Sequence, residues 1–105
     1  METIVKIEKQ VGGCLLSYLP KYSINVLTQL FGKPEIGPNP KIQHQWTVSF
    51  QQNGEEIWAF RIYDYYGDRW HLGGEWTGKI GCSPYNKYVD SFKDTLKEMV
   101  KNLKK

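Results

Sequence analysis

Between Ile42 and Gln51 apolar and polar residues alternate. Ile42, His44, Trp46, Val48 and Phe50 fall on one side, and Gln43, Gln45, Thr47, Ser49 and Gln51 on the other. This period of two predicts a half-buried β-strand. Asn53-Gly54 follows, the dipeptide that favours a two-residue hairpin turn. The chain returns as residues 55–64, with Trp58, Phe60 and Ile62 on one face and Ile57, Ala59, Arg61 and Tyr63 on the other. Both faces are largely apolar. Such a strand is either central and covered twice, or presents one face to a partner. Gly67-Asp68 reads as a second turn. Residues 69–73 read as a third strand, with Trp70 and Leu72 on one face and Arg69 and His71 on the other. Gly73-Gly74 is expected to end it, and residues 75–82 to form an irregular loop carrying Trp76.

The flanking segments read as one or two short strands and two helices. Residues 3–9 form a β-type run around Ile4, Val5 and Ile7, broken by Gly12-Gly13. Residues 14–19 fit either a strand or the approach to a helix. Pro20 suits a helix start, since its missing donor costs nothing in the first turn. Tyr22, Val26, Leu27, Leu30 and Phe31 then recur at helical spacing, and Gly32 and Pro34 stop the helix. The three prolines of residues 32–41 make that stretch a surface connection. Ser83-Pro84 has the form of an N-cap followed by a first-turn proline. After it Tyr85, Tyr88, Val89, Phe92, Leu96, Met99, Val100 and Leu103 mark one face of a long amphipathic helix. The expected fold is a single α+β domain over residues 1–105. It is a small antiparallel sheet of three to five strands with helices on one face: one in the N-terminal half and a long one at the C-terminus.

Composition narrows the function classes. The 105 residues carry a net charge of +3, too little for a dedicated nucleic-acid binder and opposite in sign to an acidic DNA mimic. No apolar run approaches the roughly 18 residues of a membrane span. Residues 1–6 lack the basic start and apolar stretch of a signal peptide, so the expected compartment is the cytoplasm. Cys14 and Cys82 are the only cysteines, and a reducing compartment would leave both as thiols. No metal or other cofactor is expected, because His44, His71, Cys14 and Cys82 show no ligand spacing. Phosphate-loop and nucleophile-elbow patterns are absent. An enzyme is therefore not expected. Asp64 with His71, on adjacent strands, is the one acid–base pair to test, and the plainer reading of Asp64 is a turn cap. On the last helix Asp90, Asp94 and Glu98 interleave with Lys93, Lys97 and Lys101, which reads as a solvated face.

Four Trp, seven Tyr and four Phe make up 14% of the chain, and they crowd into one stretch. Tyr63, Tyr65, Tyr66, Trp70 and Trp76 lie close together with Arg69, His71 and Lys79. Rings beside cations stack a base and hold a phosphate, or anchor a protein interface, where Tyr, Trp and Arg are enriched. Trp70 and one or two of the tyrosines are equally expected to be ordinary core.

The order of motifs resembles a group of small, mostly uncharacterised proteins of bacteriophages and large DNA viruses. The matching elements are Leu30-Phe31-Gly32-Lys33-Pro34, Lys41 with Trp46 and Phe50, Asn53-Gly54, Ile62-Tyr63-Asp64-Tyr65, and Trp70-His71-Leu72-Gly73-Gly74. They cover residues 12–74. Residues 55–61 depart from the pattern, being longer and more aromatic. The resemblance implies a viral accessory role, exercised in the host cytoplasm by binding a host defence component.

The expected function is thus a small non-catalytic protein that binds and inhibits a host protein or complex. The alternative is sequestration of a nucleotide or small anionic ligand in an aromatic and cationic pocket. Self-association is a further expectation. The doubly apolar strand needs its second face covered, either by the helix at residues 22–31 or by a second copy burying Ile57, Ala59 or Tyr63 in a homodimer.

Overall fold

A computed structural model describes residues 2–8, 14–35, 42–64, 70–76 and 85–103. The described residues form an α+β fold of five antiparallel strands and two helices. In chain order these are β1 (Glu2–Lys6), β2 (Cys14–Tyr18), α1 (Ile24–Phe31), β3 (Gln45–Gln52), β4 (Glu55–Asp64), β5 (Trp70–Trp76) and α2 (Tyr85–Leu103). The sheet order is β1-β3-β4-β5-β2, which makes the doubly apolar β4 the central strand.

The β3–β4 hairpin carries the fold's registration. Asn53 and Gly54 both have positive φ, at 55° and 86°, as the tight turn requires. The register then slips by one residue at Ile57: Gln51 pairs with Glu56, but Phe50 pairs with Trp58. Without this bulge Arg61 would lie opposite Trp46 and enter the core. With it, Trp58, Phe60 and Ile62 lie opposite Phe50, Val48 and Trp46, and all six are buried on one face.

Both helices pack on that face. The Trp46 indole N–H donates to the Gly32 carbonyl at the end of α1 (2.8 Å), and the Trp70 indole N–H donates to the Tyr22 carbonyl just before it (2.7 Å). On α2, Phe92 packs against Phe50 and Phe60 with ring centroids 5.8 and 4.3 Å away. Leu27, Phe31, Phe92 and Leu96 join the strands' apolar residues in one core cluster. Burying each such side chain contributes about 1.5–3 kcal/mol. Lys93 leaves the charged row of α2 and donates to Ser17 Oγ on β2 (3.1 Å).

Several expectations are corrected. Helix α1 starts after Ser23, whose Oγ accepts from the Val26 N–H, and not at Pro20. Strand β5 runs through Gly73-Gly74 to Trp76. At Gly74 (φ 155°) a Cβ would sit 2.5 Å from the Ala59 carbonyl oxygen, so β4 approaches too closely for a side chain. Gln45, Thr47 and Ser49, read as a solvent-facing row, are buried. Gln51 Nε2 donates to Ser49 Oγ two residues back on the same strand, so here a long polar side chain lies over a short one. Helix α1 does not shield the sheet's second face. Leu103 is exposed, whereas Val89, Phe92, Leu96 and Val100 of the same stripe are buried. No helix among the described residues is long and apolar enough to cross a membrane. The Ser83-Pro84 start and Cys82 lie outside the described residues, as does the side chain of Cys14.

Candidate functional site

The face turned away from both helices is built by the odd-numbered residues of β3, β4 and β5, with Tyr18 joining from β2. Across it the register sets Gln45, Tyr63, His71 and Tyr18 side by side in one row. The Tyr63 and His71 rings stack with centroids 5.2 Å apart at 26°. The Tyr18 ring meets His71 edge-on at 5.0 Å and 67°. Two residues back from Tyr63 on the same face, the Arg61 guanidinium carbon lies 4.3 Å from the Tyr63 ring centroid. A cation so placed is held by the negative face of the ring. The residues directly opposite Arg61 are Thr47 on β3 and Gly73 on β5.

The row is graded in exposure. Tyr63 is 7% exposed and Ala59 fully buried, Arg61 and His71 are half-buried, and Tyr18 is 44% exposed. Among the described residues, Arg61 Nε and Gln45 Oε1 are buried without a hydrogen-bond partner. The outer part of the row therefore offers one guanidinium, one imidazole and one phenol on an ordered platform. Groups of this kind bind by stacking, by charge and by hydrogen bonding, and Tyr and Arg are the residue types that dominate interface energetics.

The other sequence candidates separate. Trp70 is core: it is buried, its ring lies 5.5 Å from Trp46, and its N–H is occupied by Tyr22. It gives no stacking platform for a ligand. Tyr63 and Ala59 are buried within the single chain and Ile57 is half-buried, so of these three Ile57 has the most surface left for a second copy to cover. Tyr65, Tyr66, Arg69 and Lys79 lie outside the described residues, and Trp76 is described in its backbone alone.

Asp64 does not pair with His71. The two project from opposite faces of the sheet, and Asp64 instead accepts from the backbone N–H groups of Gln43 (2.8 Å) and His44 (3.0 Å) and from His44 Nδ1 (2.9 Å). Burial alone would raise the carboxyl's pKa. The hydrogen bonds from the His44 side chain and from the His44 and Gln43 backbone, with the attraction of His44, outweigh it and hold the pKa below the ordinary carboxylate value. The acid caps the segment entering β3, and the turn after its own strand lies outside the described residues. Among the described residues no three of His, Cys, Asp and Glu cluster as metal ligands would.

No family model, curated protein or solved structure matches the chain.

Proposed function

We propose that the chain is a small non-catalytic binding protein that docks a macromolecular partner on the helix-free face of its sheet. Arg61, His71 and Tyr18 are its contact residues, and Tyr63 is the buried ring that holds two of them in place. The observation that carries this reading is the continuous Arg61–Tyr63–His71–Tyr18 row. The motif resemblance supplies the biological setting: a viral or phage protein that inhibits a host defence protein in the host cytoplasm. The nucleotide reading loses Trp70 to the core, and the acid–base reading finds Asp64 bound to His44 instead of His71. The test is affinity capture from host lysate with the wild type and a Tyr18→Ala/His71→Ala variant side by side. The proposal expects a partner retained by the first and lost by the second while both remain folded.

A further inference from the structure

Strand β1 ends the sheet on one side, and its outer edge has a definite polarity. The Ile7 N–H donates to the Thr47 carbonyl (3.0 Å), in step with the pairing of Val5 with Ser49 and Thr3 with Gln51. In an antiparallel pair such residues turn both backbone groups toward the neighbouring strand, and the residues between them turn both away. Thr3, Val5 and Ile7 therefore serve β3, while Glu2, Ile4 and Lys6 turn their N–H and C=O groups to the outer edge, which no strand among the described residues covers. The opposite edge of the sheet is blunted by a bulge between Leu15 and Ser17 on β2; β1 pairs with β3 without any register shift.

We propose that this edge pairs with the same edge of a second copy, in an antiparallel register centred on Ile4. That register is self-complementary. It sets each Glu2 opposite Lys6 of the other copy, and each Ile4 opposite its counterpart. Every outward-facing residue then meets an outward-facing residue, as an antiparallel ladder requires. A two-fold axis gives two Glu2–Lys6 pairs of opposite charge from one geometry, in which Lys6 turns from the exposed Glu8, 3.6 Å away in the single chain, to Glu2 of the other copy. On the helix-free face the same register sets Thr3 beside Val5 of the other copy. Val5 is 45% exposed in the single chain, the most exposed of the large apolar side chains described. The product is one continuous ten-stranded sheet with the two helix-free faces side by side. No residue of the Arg61–Tyr63–His71–Tyr18 row takes part, so the pairing stands or falls independently of the binding proposal.

Sedimentation velocity from micromolar to millimolar concentration, on the full chain, tests it. The wild type is expected to move from the 12.3 kDa monomer to a dimer. Glu2→Lys alone and Lys6→Glu alone each set like charges opposite one another twice. Each is expected to weaken dimerisation about tenfold or more. The double variant restores both pairs and is expected to recover the wild-type association. An equimolar mixture of the two single variants is expected to form a heterodimer, since their charges then complement. Far-UV circular dichroism of each variant, unchanged, ties the loss to the edge. A wild type that stays monomeric throughout overturns the proposal. So does a dimer indifferent to both single changes, or single variants whose mixture does not associate.

Discussion

His44 Nδ1 lies 2.9 Å from Asp64 Oδ2, across the mouth of the β3–β4 hairpin. An ionised carboxylate only accepts, so this contact and the two backbone N–H groups that Asp64 also holds make it the clasp closing the open end of the hairpin.

Asp64→Asn tests the clasp. It removes the charge from three hydrogen bonds and is expected to lower stability by about 1–3 kcal/mol at neutral pH, read by urea unfolding. The pH dependence has a definite sign. The folded pKa of Asp64 is depressed, so its contribution is complete above the unfolded carboxyl's pKa of about 3.9 and is lost as pH falls through the lower folded value. Wild type and Asp64→Asn should therefore converge in stability below that window. A constant gap down to the acid limit would show that the charge of Asp64 contributes nothing.

Deleting Ile57 removes the extra residue of the bulge and leaves Glu56 opposite Gln51 and Trp58 opposite Phe50, so residues 58–64 keep their partners and faces. The deletion is therefore expected to retain a cooperative thermal transition. An alanine inserted after Ile57 shifts the count by one more residue and is expected to be far more destabilising. Loss of the transition on deletion would mean that the bulge itself, and not only the register it sets, holds the sheet together.

Gly74→Ala places a Cβ against the β4 backbone at a φ that L-residues rarely adopt. The expected loss is about 3 kcal/mol, measured by denaturant titration. Gly54→Ala is the control: it keeps the positive-φ strain, but nothing lies within 4 Å of its Cβ, so a smaller loss is expected.

Tyr63→Glu separates platform from contact surface. Tyr63 is buried under Arg61 and beside His71, so a carboxylate there is expected to destabilise the single chain by several kcal/mol. Tyr18→Ala and His71→Ala, at less buried positions, are expected to shift stability by about 1 kcal/mol or less. Equal and small effects at all three, by thermal unfolding, would contradict the graded burial of the row.

The strands and helices were legible because their signals are local. Period-two alternation marks β3, Asn53-Gly54 fixes the hairpin, and helical spacing marks α1 and α2. What stayed hidden depends on contacts between distant segments. Counting outward from Asn53-Gly54 sets His44 opposite Tyr63. Only the bulge at Ile57 brings His44 opposite Asp64, and nothing in residues 55–58 announces it beyond the apolar pattern changing phase. Gly73-Gly74 reads as a stop because two glycines usually are one, whereas here Gly74 is demanded by the neighbouring strand. The burial of Thr47 and Ser49 was illegible because two small polar residues on a strand carry no sign of what will lie over them. Of the site, Tyr63 and His71 were picked out by sequence. Arg61 and Tyr18 were missed, though Arg61 shares the face of Tyr63 at a spacing of two; Tyr18 comes from a strand 53 residues from His71 and only the sheet order unites them.

The central claim is that the helix-free face is a contact surface, and quantitative affinity capture from host lysate tests it most directly. Wild type, Arg61→Ala and Tyr18→Ala/His71→Ala are compared at equal bait loading, each first shown to be folded by near-UV circular dichroism. The account predicts one host protein or complex retained by the wild type and reduced about tenfold or more by each variant, because truncating an interface anchor typically costs 2 kcal/mol or more. Retention of the same partner at wild-type levels by both variants, or no specific partner with the wild type, would contradict it.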